Sequence, residues 1–261
     1  MHATLFADLP LSLAGQLTSV LFMAGLVSGL SGFAFAAVAA ILLWLMPAIQ
    51  AVPLIMTLST CNQLLSVGSL WREMRLVPAP NTECALPYIA GGLIGVPVGL
   101  AVLERLPGAQ LCGLLGASLV AYSTFSLLRP DALRVSLAGW RPALLVGAAG
   151  GLVGGFSGFP GSMPVLYFNM RGLNRTQARG VVQPYIVALQ IVSLATLIAT
   201  RPQIFDRRFA LLALAGLPAV LLGTASGVAL YRRLSERNFR QGVLLLLILS
   251  GLALMAKAWV Q

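Results

Sequence analysis

From Leu9 to Trp71 the chain carries no charged residue, a run of 63 positions. One membrane helix needs about 20 apolar residues, so this run holds two or three segments. It divides near Gly29–Gly32 and again at Pro47-Ala48-Ile49-Gln50. The pattern predicts a first segment at about 12–29 and a second at about 33–46, too short to span comfortably. A third follows at about 51–71, closed by Arg72, Glu73 and Arg75, with Pro78 and Pro80 in the loop. Further helices are expected at about 84–103, ending at Glu104-Arg105, and at about 109–128, after the Pro107-Gly108 turn. A polar connector from Arg129 to Arg141 follows.

The order then repeats. Segments are expected at about 142–156 and 160–170, then after the arginine-bearing loop MRGLNRTQARG at about 181–200, 210–230 and 241–257. Residues 25–36, GLVSGLSGFAFA, match residues 151–162, GLVGGFSGFPGS. Each half therefore has a glycine-broken first segment plus three transmembrane helices, with residues 1–134 and 135–261 forming two repeats of one integrated membrane domain.

Glycine in a helix costs roughly 1 kcal/mol relative to alanine, and Pro160 also removes a backbone donor. Both stretches therefore read as places where a membrane helix breaks and bare backbone faces a cavity. The alternative is that Gly25–Gly29 and Gly151–Gly155 only let helices approach closely, as small-xxx-small spacing does. A second copy at the matching place in the other half, carrying a proline, favours the break.

Composition agrees with a polytopic all-α membrane protein: 58% of the 261 residues are hydrophobic and 9% charged, and the mean hydropathy is +0.90. The formal charge of +10 suggests nucleic acid, but the arginines sit singly or in small groups between apolar runs and form no basic face or nucleic-acid motif. They carry topology instead. If each broken segment crosses once, the basic residues divide almost evenly between the two sides. If each turns the chain twice, Arg105, Arg201, Arg207, Arg208 and Lys257 lie on one side and the remaining 12 of the 17 on the other. The positive-inside rule selects this second arrangement, which inverts the halves and places both termini outside the cytoplasm. Trp44, Trp71, Trp140 and Trp259 fall at segment ends, where amphipathic rings prefer the interface.

Cys61, Cys84 and Cys112 have no metal-ligand spacing with one another or with the only histidine, His2, and read as packing residues. No cofactor or metal is expected. Asp8 and the missing basic n-region give no sign of a cleaved signal peptide. No HExxH, no G-x-S-x-G elbow and no paired carboxylates point to an enzyme.

The predicted span cores hold no charged side chain, so an anion site would rest on helix ends and uncharged donors. Helix N-termini present unpaired N–H groups and a positive dipole end. The candidates at the breaks are Ser31, Gly32 and Phe33, and Ser157, Gly158, Gly161 and Ser162. Twenty-five residues beyond Gly32 and Gly158 stand Thr57 and Gln183, with Asn62, Gln63, Tyr185 and Gln190 nearby. Arg179 would draw anions to the mouth. For each hydroxyl the alternative is a bond to its own helix or to a neighbour.

The duplicated SGF stretches, together with GVPVGLAVLERLP (95–107) and GTASGVALYRRLS (223–235), resemble the TauE/SafE sulfite exporter family of membrane permeases, over essentially the whole chain. The resemblance implies transport of a small anion, sulfite or an organosulfonate, across the bacterial inner membrane. Its expected partners are that anion and the lipid bilayer, with homo-oligomerisation left open. Where the family tends to carry consecutive glycines, this chain has Ala34, Phe35 and Ala36, and Pro160, Gly161 and Ser162, which narrows the first-half cavity. The competing reading is a membrane scaffold or channel-type protein whose glycines serve packing. Interrupted helix hydrogen bonding at both SGF sites distinguishes the two.

Overall fold

The computed structural model describes residues 11–31, 34–75, 84–128, 138–173, 175–231 and 236–260. Every regular element among them is helical. The first half comprises α1 (Leu11–Ser31), α2 (Phe35–Ala39) continued by a 3-10 turn (Ala40–Trp44), α3 (Ala48–Arg75), α4 (Leu86–Arg105) and α5 (Gly108–Leu128). The second comprises α6 (Trp140–Ser157), α7 (Ser162–Arg171), α8 (Arg175–Thr200), a short 3-10 turn (Pro202–Ile204), α9 (Arg207–Tyr231) and α10 (Glu236–Val260). Among the described residues, five stretches are long and apolar enough to cross a membrane: Ala48–Leu65, Leu86–Arg105, Gly108–Leu128, Gln177–Thr200 and Arg207–Leu230. The chain is thus an all-helical polytopic membrane protein.

Both expected breaks are present, and the helix bounds differ from the apolar runs mainly at their ends. α3 begins at Ala48 and reaches Arg75, and α8 begins at Arg175 rather than near 181. Helical hydrogen bonding does not stop where hydrocarbon does, so charged turns extend each rod beyond the apolar core. Much of the expected loop MRGLNRTQARG is therefore the first turns of α8, and Arg179 lies within that helix, half-buried. The expected single helix at 33–46 is instead one α turn and one 3-10 turn, rich in small residues and almost wholly buried.

Glycine explains how the rods pair. A Cβ on Gly91, Gly95 or Gly99 of α4 would stand 2.0, 2.1 or 2.2 Å from the carbonyl oxygens of Leu144, Ala148 and Leu152 of α6. On α1, a Cβ at Gly25 or Gly29 would meet Val220 and Thr224 carbonyl oxygens of α9, each at 2.3 Å. Lipid is as apolar as leucine, so such close backbone approach, and not apolar burial, drives these pairs together. Gly116 and Gly251 do the same between α5 and α10. The small-xxx-small glycines do serve close packing, and a helix does end at each SGF site, so packing and interruption fall to different residues.

The registers fix directions. Contacts advance together along α1 and α9, and along α4 and α6, so each pair is parallel. Trp44, Glu104, Gly108, Arg208 and Lys257, from the ends of five elements, and Arg201, just after α8, surround one cavity and mark a common face. α9 starts at that face and α4 ends there, so α1 enters from it and α6 from the opposite one. α7 folds back on α6: Pro160 sits against both Gly154 and Gly150. Further on, the Phe168 ring stacks edge-on to Tyr88 at 5.2 Å, and Tyr88, in the first turn of α4, lies against Gly147 in the first half of α6. The segment α6–α7 is a re-entrant hairpin returning to the face it left. In the first half Trp44 likewise returns to the face where α1 begins.

Trp44, Trp140 and Trp259 are 48%, 63% and 92% exposed at helix ends, as interfacial rings should be. The side chain of Trp71 lies outside the described residues.

Candidate functional site

Each break is stitched by its serine. Ser31 Oγ donates to the Val27 carbonyl at 2.8 Å and accepts the Ala34 N–H at 3.1 Å. Ser157 Oγ donates to the Val153 carbonyl and accepts the Phe159 N–H at 3.0 Å. The hydroxyl closes the last helical turn and catches a donor beyond it, satisfying groups a helix end leaves unpaired. Gly158 has φ +72°, the left-handed conformation that a side chain resists, and its N–H bonds the Gly154 carbonyl. Gly32 and Phe33 lie outside the described residues.

Beyond the second break, Ser162 N–H turns to the Phe159 carbonyl and Val165 N–H to that of Gly161, while Pro164 has no N–H. Met163 supplies the one first-turn amide of α7 with no partner among the described residues. Met163, Ser157, Phe159 and Ser162 line a small cavity of about 20 Å³ together with Ala36, Ala37 and Ala40 from the first half-helix and Ser118 and Tyr122 of α5. Volume of this order holds about one water. It lies between the two half-helices, and no charged side chain lines it.

Two polar clusters brace the breaks from α3. Gln190 of α8 donates to Ser59 Oγ and to the Gly158 carbonyl, both at 3.1 Å, and accepts from Thr60 Oγ1 at 3.0 Å. Asn62 donates to Ser28 Oγ at 3.2 Å and accepts from Thr224 Oγ1 at 2.8 Å. Buried amides are costly unless paired, and both are paired here by protein. Gln63 differs: it is 8% exposed, and its Oε1 has no hydrogen-bond partner among the described residues.

Of the residues expected from sequence to form one site, Ser157 and Ser162 share the small cavity, and Gly158 joins them through Gln190. Gly161 packs under Ile186. Tyr185 is fully buried and donates to the Gly147 carbonyl at 2.7 Å, bracing α6. Thr57 bonds the Pro53 carbonyl at 2.9 Å within α3. Gln183 and Arg179 are half-buried on α8 and line neither cavity. Sequence reasoning passed over Ser118 and Tyr122, which no motif sets apart from the other polar positions of α5, Gln110, Ser123, Thr124 and Ser126, and Thr224, which lies between Gly223 and Gly227.

The geometry is that of a membrane protein with two interrupted helices around an uncharged interior. A family model described as sulfite exporter TauE/SafE matches residues 17–254. The chain belongs to the sulfite exporter TauE/SafE family. The match takes in both breaks, both glycine stripes and all but the last few residues of α10. No curated protein and no solved structure matches the chain. As a TauE/SafE member, the chain belongs to a family of membrane transporters.

Proposed function

We propose that this protein is a secondary transporter of a small oxyanion, sulfite or an organosulfonate, across the bacterial inner membrane. The observation that carries the reading is the pair of serine-stitched breaks with an uncharged cavity between their half-helices. Uncharged donors suit an anion that has to leave as well as bind, since a buried cation would hold it too firmly. The Met163 amide is the group best placed to meet it, with the N-terminal dipole of α7 behind it, and the hydroxyls of Ser157 and Ser162 join it once they give up their bonds to the Val153 and Phe159 carbonyls. The cavity is water-sized, so the anion is admitted only when the half-helices part; this conformation is the closed one. Gln190 and Asn62 then act as braces holding the breaks in register.

The opposed entry of α1 and α6 supports an inverted-repeat arrangement, in which one half rocks against the other to expose the cavity alternately to each face. The face bearing Arg201, Arg207, Arg208 and Lys257 is the non-cytoplasmic one on this reading, and both termini lie there.

Sulfite and organosulfonate uptake into proteoliposomes tests the proposal. Gly158→Leu adds a side chain at φ +72°, where a left-handed backbone costs roughly 1–2 kcal/mol and re-aims the start of α7. Flux should fall at least about tenfold, the effect of ~1.4 kcal/mol on one step, with the protein still membrane-inserted. Wild-type flux in that variant would defeat the reading.

A further inference from the structure

The large cavity at the common face has a volume of about 990 Å³, far more than a bare oxyanion fills and at the upper end of small-molecule sites. Its charged lining comprises Arg201, Arg208 and Lys257 against Glu104 and Asp206. Both carboxylates are engaged: Glu104 pairs with Arg201 at 3.4 Å, and Asp206 Oδ1 accepts the Phe209 N–H at 2.8 Å as the cap of α9. Arg208 and Lys257 have no acidic partner among the described residues. The Lys257 ammonium donates to the Leu43 carbonyl and stands 5.8 Å from the Trp44 ring centroid. An ammonium has three donors, so two remain for a ligand.

We propose that this cavity is an anion antechamber, in which Lys257 and Arg208 hold a free small oxyanion at the membrane face on its way between the half-helices and the water outside. The site carries a net positive charge within partly apolar walls, where field lines are focused and local anion concentration rises. It extends the transport reading to a second site and one class of ligand, and it is tested without transport.

The measurement uses Trp44, which is 48% exposed beside Lys257. In a Trp71→Phe, Trp140→Phe, Trp259→Phe background, in zwitterionic nanodiscs at constant ionic strength, Trp44 fluorescence is quenched by iodide and by neutral acrylamide. Lys257→Gln with Arg208→Gln should lower the iodide quenching constant about threefold, a change of roughly one kT in local potential, and leave acrylamide quenching unchanged. Lys257→Arg, with the charge retained, should restore it. Sulfite should relieve iodide quenching in the parent and not in the neutral variant. Equal iodide quenching in parent and neutral variant, or no relief by sulfite, overturns the antechamber. Co-purified phosphatidylglycerol that falls with Lys257→Gln assigns the cations to a lipid headgroup and overturns it too. Gly158→Leu in the same background separates the two proposals: it should lower flux at least about tenfold and leave Trp44 quenching at the parent value.

Discussion

Ser31 and Ser157 spend their hydroxyls the same way, one bond back to the preceding turn and one bond forward across the break. The repeat in the sequence located these serines, but a repeat cannot say whether a hydroxyl caps its own backbone or waits for a ligand; that depends on where the chain goes next. The same limit applies to Gln190, which stood out because a buried amide demands partners. Its partners, Ser59, Thr60 and the Gly158 carbonyl, come from positions as far as 131 residues away, and no local pattern records them. They also decide its role. With both amide protons given to protein, Gln190 positions the break. Gln190→Leu should therefore lower the maximal rate of sulfite flux and the thermal stability, the latter by about 1–3 kcal/mol for the unpaired Gly158 carbonyl, while the half-saturating concentration stays within about twofold, under 0.5 kcal/mol of binding. A selective rise in that concentration would instead make Gln190 a ligand of the anion.

Among the elements, the glycine stripes carry the assembly. Their spacing was readable, and so was their role in close packing, but the partner of each stripe was not: α1 pairs with α9 and α4 with α6, across halves, because the carbonyls that face each glycine belong to the other repeat. Helix ends were legible only to within a few residues, since the apolar run stops before the hydrogen-bonded rod does. The short segment after the first break was misread as one helix, because alanine-rich sequence suits α and 3-10 turns alike. Gly95→Ala places a methyl 2.1 Å from the Ala148 oxygen, and the backbone cannot yield without parting α4 from α6. Folded protein recovered by size-exclusion chromatography should fall sharply. Gly15→Ala, with nothing within 4 Å, should be neutral or stabilising by up to about 1 kcal/mol. Equal recovery of the two variants would mean that the stripe does not hold the pair.

For the whole molecule, the deciding quantity is parity. Two re-entrant segments return the chain to the face it left, so the loops after α4 and α8 and the end of α10 collect on one side. Had each broken segment crossed once, Arg201 and Lys257 would not share a cavity with Glu104 and Trp44. Geometry groups the ends but carries no label for inside and outside; that label comes from the arginines, five basic residues on the cavity face against the other 12 of 17. Loops richer in arginine resist translocation, which is the ground on which the proposed orientation puts the cavity face on the non-cytoplasmic side. Arg207→Cys, exposed at the start of α9, should then react with a membrane-impermeant maleimide in intact spheroplasts, in a background with Cys61, Cys84 and Cys112 replaced. Arg141→Cys, at the start of α6 on the opposite face, should react only after permeabilisation. A reporter active only after export should give signal when fused beyond Val260. Reversed labelling of both positions would turn the protein over and leave the fold intact. Labelling of both from one side would break the parity itself, and with it the inverted arrangement on which the proposed alternating access rests.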